Sequence, residues 1–187
     1  MQTIFYKSFF KDKTREDIRI WIDMHKEKLV GSAIFTKGTG VTANLVVWAE
    51  SWTDKCKGFK PSHTGSIVEK DGKIIIFDMK PPRGTTQSLE TYLWTTKENF
   101  VIVLRDYKID TNVFNKGTLE HVGQGYPYMS AIRSVFTKRP TQWNAHCSEL
   151  FARVTVMSGH TFSEAFNLEC TPNELLHELC KGGLPNG

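Results

Sequence analysis

The dipeptide Asp71-Gly72 lies between two β-rich runs and constrains the fold more than any other feature of this sequence. The runs are residues 61–69 and residues 74–78, and the second reads Ile-Ile-Ile-Phe-Asp. Asp-Gly favours a two-residue turn, so the runs are predicted to pair as an antiparallel hairpin. His63 then heads one strand and Asp78 closes the other. Because a hairpin brings the far ends of its strands together, we expect His63 and Asp78 to lie close to each other.

Cys147 falls in the opening turn of a second strongly patterned stretch, residues 144–159. Asn144 suits an N-cap, apolar residues recur at helical spacing, and Gly159 suits the helix end. At a helix start the unsatisfied backbone N–H groups and the positive end of the macrodipole favour thiolate over thiol. Cys147 is therefore a candidate nucleophile. The alternative interpretation is a buried structural thiol, which is what most cysteines are.

The rest of the chain alternates between helical and extended patterns. Periodicity predicts strands over 31–35 and 100–105, a loop over 123–128, and helices over 14–28, 42–55, 87–95, 110–121 and 172–179. With the hairpin, these elements predict one α+β domain, an antiparallel sheet packed against helices. At 187 residues the chain is long enough to bury a core without disulfide bonds.

Charge and cysteine content narrow the functional classes. The net charge of +4 comes from 24 basic and 20 acidic residues scattered along the chain, which argues against a nucleic-acid partner. The four cysteines form no CxxC pair, so we expect no disulfide framework. No apolar run approaches the roughly 18 residues of a membrane span, and the first residues lack a signal-peptide pattern. These features predict a cytoplasmic protein without stable membrane insertion, and a viral or phage product released by lysis would have the same features.

Histidine and cysteine spacing predicts neither a metal site nor a cofactor site. His177 and Cys180 are three positions apart on the last predicted helix, but they supply only two ligands. His121, His146 and His160 show no HxxxH pattern. We therefore expect no metal and no organic cofactor.

The motifs together resemble the circularly permuted branch of the NlpC-type papain-like hydrolases. This branch includes YiiX-like proteins and is related to lecithin:retinol acyltransferase, and in it the histidine strand precedes the cysteine helix. The matching pieces follow the family order: Gly31-Ser-Ala-Ile-Phe, Ser62-His63-Thr64-Gly65, the apolar strand ending at Arg105, Gly125-Tyr-Pro-Tyr128, Cys147-Ser-Glu-Leu and Thr171-Pro172. The resemblance implies a permuted papain-like fold for a single domain over 1–187, with residues 1–30 as an N-terminal helical extension.

Two positions depart from the family pattern. Ser32 stands where the family usually has Asp, and the third polar residue would be Asp78 where Glu or His is common.

The resemblance implies a cysteine hydrolase of amide (peptide or isopeptide) or related acyl bonds. Cys147 would be the nucleophile and His63 its base, with Asp78 fixing the imidazole. The Cys147 N–H and the Tyr128 hydroxyl would bind the oxyanion. Expected substrates are peptide, cell-wall or acyl-lipid compounds. Two alternatives stay open: a thiol acyltransferase, and a catalytically inactive module that binds a protein partner.

Overall fold

The computed structural model describes residues 3–38, 59–80, 82–126 and 147–180. Within these ranges the elements in chain order are β1 (Ile4–Tyr6), α1 (Lys7–Phe10), α2 (Arg15–Leu29), β2 (Ala33–Lys37), β3 (His63–Lys70), β4 (Lys73–Lys80), β5 (Arg83–Ser88), α3 (Leu89–Thr95), β6 (Asn99–Val103), α4 (Thr111–Leu119), α5 (Cys147–Met157) and α6 (Pro172–Leu179). The strands form one antiparallel sheet of order β1-β6-β2-β3-β4-β5. The predicted α+β class is confirmed.

Strands β3 and β4 form the predicted hairpin. Lys70 pairs with Lys73, and Asp71 and Gly72 take positive φ values of 51° and 75° in the turn between them. The boundaries of both strands differ from the predicted runs, and the difference in β4 affects the site. The strand continues to Lys80, so Asp78 lies inside it rather than closing it.

The sheet separates two core layers, because successive side chains of a strand point to opposite faces. On one face, which we call the α2 layer, Ile34, Ile67 and Ile76 pack with side chains of α2 and α3. On the other, the α5 layer, Val68 and Phe77 pack with side chains of α4, α5 and α6. Helices thus cover both faces of the sheet.

Gly65 in β3 lies where the α2 layer is tightly packed. A Cβ atom there would come within 2.9 Å of both Ile34 Cγ2 and Ile76 Cδ1. Such separations are shorter than carbon–carbon contact distances, so this position of the strand requires glycine.

Helix prediction was accurate where capping residues mark the start. Thr14 caps α2 in a reciprocal capping box with Asp17, and Thr171 does the same for α6 with Glu174. Ser88 caps α3 through the Thr91 N–H and delays its start to Leu89. The predicted helix over 42–55 lies outside the described residues. Among the described helices, none has both the length and the apolar character needed to cross a bilayer.

Three elements were not predicted. β1 and α1 occupy the start of the chain, where we expected only a helical extension, and β1 pairs with β6 at the sheet edge. β5 reads Arg-Gly-Thr-Thr-Gln-Ser and is largely exposed. An exposed edge strand needs no apolar alternation, so its sequence gives little signal.

Candidate active site

His63 and Asp78 meet at the open end of the β3–β4 hairpin. The register pairs Asp78 with Gly65, so Asp78 and His63 are diagonal neighbours on one face of the sheet. The His63 Nε2 donates a hydrogen bond to Asp78 Oδ1. Both residues are buried, with 8% and 7% of their surface exposed. The predicted proximity of these two side chains is confirmed.

Cys147 contributes the third group, from the start of α5. Its thiol is close enough to the His63 ring to raise the pKa of the imidazole through charge and hydrogen bonding. Because Asp78 takes Nε2, the ring nitrogen left for the thiol is Nδ1. Cys147 belongs to the core of the α5 layer, whereas the register places His63 on the α2 face. Each is the first residue of its element, so the contact between them forms at the end of the sheet.

The neighbouring charges control the ionisation of the imidazole. Burial alone would lower the pKa of His63, but the Asp78 carboxylate and then the Cys147 thiolate outweigh burial and raise the pKa to about 10. Burial likewise opposes ionisation of Asp78, yet its pKa is lowered, chiefly by His63. Such coupling is mutual, so a protonated His63 favours the thiolate form of Cys147. At neutral pH the arrangement favours an imidazolium paired with the Asp78 carboxylate.

Sequence reasoning missed two charged residues behind Asp78. Lys80 Nζ lies 3.2 Å from Asp78 Oδ2 and 3.0 Å from Glu98 Oε2. Lys80 is two positions beyond Asp78 in one strand, which puts both side chains on the same face, and this spacing was a usable signal. Glu98 comes from the segment before β6, and no local pattern connects it to the site.

Two polar residues of the first turn of α5 are buried and paired, one outside the helix and one within it. The Ser148 hydroxyl donates a hydrogen bond of 2.6 Å to the Cys170 carbonyl, and both residues are buried. Glu149, which is 2% exposed, pairs with Arg153 at 2.5 Å. The Glu149–Arg153 pair lies within the helix, whereas the Ser148 bond ties the Cys147 end of α5 to the segment before α6.

The other thiols within the described ranges have a different electrostatic environment. Burial is the main cause that raises the pKa of Cys170, and it raises the pKa of Cys180 to about 11. Neutral buried thiols are poor nucleophiles. His177 and Cys180 do not belong to any metal-binding group, since no cluster of three or more His, Cys, Asp or Glu suited to a metal occurs among the described residues.

Tyr128, proposed from the motif to bind the oxyanion, lies outside the described residues, as does the helix cap expected at Asn144. The structure therefore brings together three of the four predicted site residues, Cys147, His63 and Asp78, and leaves Tyr128 as a prediction.

No protein-family model matches this chain, and no curated protein matches its sequence. The α+β architecture is observed directly, while the permuted papain-like assignment depends on the motif resemblance.

Proposed function

We propose that this chain is a papain-like cysteine hydrolase that cleaves amide or related acyl bonds through a thioester at Cys147. One observation carries the proposal: a buried imidazole contacts a thiol at a helix start on one side and a buried carboxylate on the other. This arrangement contains the nucleophile, the acid–base group and the orienting group that acyl transfer by a cysteine requires.

The proposed reaction proceeds in two halves. The Cys147 thiolate attacks the carbonyl carbon, and its backbone N–H at the helix start stabilises the oxyanion. The His63 imidazolium gives its proton to the leaving amine or alkoxide, which departs and leaves an acyl thioester. Neutral His63 then takes a proton from water, whose oxygen attacks the thioester. Release of the acid restores the thiolate and the imidazolium.

Asp78 stays ionised through both halves of the reaction. Its carboxylate accepts the hydrogen bond from His63 Nε2, which orients Nδ1 toward the sulfur and stabilises the imidazolium. Peptide, isopeptide or cell-wall bonds and acyl lipids are the proposed substrate classes.

Acyl transfer is a second candidate, favoured by the low exposure of the reacting groups. Cys147 and His63 are 7% and 8% exposed. A site with little access to water protects a thioester from hydrolysis and favours an acceptor other than water. Product analysis with and without added amine or alcohol acceptors distinguishes transfer from hydrolysis.

The first test is the pH dependence of iodoacetamide alkylation, followed by mass spectrometry of each cysteine. We expect Cys147 to react well below its ordinary pKa of about 8.5, and His63→Ala to abolish this reaction at low pH. Cys170 and Cys180 are internal controls in the same molecule and should stay unreactive until the chain unfolds.

A Cys147 that reacts only as the pH approaches about 8.5, equally in both proteins, would refute the hydrolase proposal. That result would favour the alternative of a catalytically inactive module that binds a protein partner.

A further inference from the structure

Asp78 is held by two cations, one on each carboxylate oxygen. Oδ1 accepts the hydrogen bond from His63 Nε2, and Oδ2 lies 3.2 Å from Lys80 Nζ. A carboxylate bound on both oxygens cannot rotate without breaking one of the contacts. The orientation of Asp78 toward His63 therefore depends on Lys80.

Lys80 is itself held in place from outside the hairpin. Its Nζ donates a hydrogen bond of 3.0 Å to Glu98 Oε2. The side chains of Lys80 and Glu98 are 33% and 31% exposed, against 10% for Asp78. A chain of contacts thus connects the partly exposed surface with the buried thiol, through Glu98, Lys80, Asp78 and His63.

The other groups around Lys80 do not compete for its charge. Tyr92 of α3 faces it, and burial is the main cause that raises the pKa of this phenol, so Tyr92 is neutral at physiological pH. Arg83, the cross-strand partner of Lys80 in β5, is exposed. Asp78 and Glu98 are therefore the anions that bind Lys80 among the described residues.

We propose that Lys80, fixed by Glu98, is a positioning residue that keeps Asp78 ionised and oriented toward His63, and so sets the acidic limit of Cys147 reactivity. The inference rests on the proposed function. Lys80 binds Asp78 and Glu98, so its role is to act through Asp78.

The sign of the expected effect follows from the charges. Lys80 is one of the groups that lower the pKa of Asp78. Without the ammonium, Asp78 takes up a proton at a higher pH, and the imidazolium then loses its counter-charge. The thiolate of Cys147 is consequently lost at a higher pH than in the wild type.

The test compares iodoacetamide alkylation of Cys147 across the pH range in the wild type, Lys80→Met and Lys80→Arg. A neighbouring cation shifts a carboxyl pKa by roughly one unit or more, so Lys80→Met should react on the order of tenfold more slowly on the acidic limb of the profile, below about pH 4. Near about pH 9 the rates should be equal. Lys80→Arg keeps the charge and should restore most of the acid-side rate.

Lys73→Met is the matched control, because Lys73 is the exposed first residue of the same strand. It should leave the profile unchanged. If Lys80→Met fails to fold, Glu98→Gln is measured instead, and we expect a smaller shift of the acidic limb in the same direction.

The outcomes separate the two proposals. A wild-type Cys147 without low-pH reactivity would refute the hydrolase itself. A reactive wild type whose acidic limb is unchanged in Lys80→Met, or in Glu98→Gln where Lys80→Met does not fold, would overturn only the role of Lys80. A uniform rate loss at all pH values would also overturn it, since that is the effect of a merely structural residue.

Discussion

Each end of the β3–β4 hairpin has an ion pair, which is exposed to solvent at the turn end and buried at the open end. At the turn end, Lys26 Nζ pairs with Glu69 Oε1 at 2.9 Å, and their side chains are 44% and 33% exposed. At the open end, the side chains of His63 and Asp78 are each 10% exposed. One continuous pair of strands thus has a solvated ion pair at one end and a buried one at the other.

Burial determines what these charges contribute. An exposed ion pair contributes about 0–1 kcal/mol to stability because water and salt screen it. A buried charge that loses its partner costs about 3–5 kcal/mol, and the same desolvation strengthens every interaction that remains. At the open end, His63 and Asp78 therefore shift each other's pKa values. Reactivity is expected only at the buried end.

A surface cavity lies at the turn end of the hairpin, away from the candidate site. It has a volume of about 330 Å³ and is lined in part by Lys26, Gly72 and Lys73. None of Cys147, His63 and Asp78 lines it. This cavity of mixed charge beside the turn is thus separate from Cys147, His63 and Asp78.

The largest expected effect is that of removing the buried carboxylate. Asp78→Ala leaves His63 without its partner and should lower the free energy of unfolding by about 3–5 kcal/mol. Urea denaturation at neutral pH measures this value. A loss below about 1 kcal/mol would mean that the open end is as well solvated as the turn end.

The pH dependence of stability should distinguish the two ends next. The folded pKa of His63 is raised, so its contribution is complete below the unfolded value of about 6.5 and is lost as the pH rises toward about 10. Between about pH 8.5 and 10 the slope should be about 1.4 kcal/mol per pH unit for one proton. Below about pH 8.5 the proposed Cys147 thiolate offsets it, because the unfolded chain carries a proton on that thiol. The pKa of Asp78 is lowered, so its contribution to stability is lost only as the pH falls through the pKa of the folded protein.

Denaturation midpoints across the alkaline window measure this slope. His63→Gln removes the titrating group and should flatten the profile. An equal slope in the wild type and the variant would contradict the assignment to His63.

The smallest effect should come from the turn end. Glu69→Gln removes the charge that faces Lys26 and should change the free energy of unfolding by about 0–1 kcal/mol. The alkylation profile of Cys147 should not move. A shift of that profile would show that the charge at the turn end affects the ionisation of Cys147. The two ends would then not be independent.

The hairpin shows how much of this site could be predicted from sequence. Asp71-Gly72 specifies the turn, the turn fixes the register, and the register brings His63 to Asp78, so the pair follows from local rules. The contact with Cys147 depends on the packing of α5 against the sheet, and only the motif resemblance pointed to it. Glu98 reaches the site through the pairing of β6 in the sheet, which no local pattern encodes.

The protonation state of His63 is the most direct test of the proposed series of thiolate, imidazolium and carboxylate. Ring nitrogen NMR of the selectively labelled protein reports whether the imidazole is charged at each pH. We expect an imidazolium that persists through neutral pH and loses its proton near about pH 10. In Asp78→Asn the pKa of His63 should decrease markedly. An imidazole that titrates near its ordinary pKa of about 6.5 in both proteins would contradict the proposed coupling of His63 with Asp78 and Cys147.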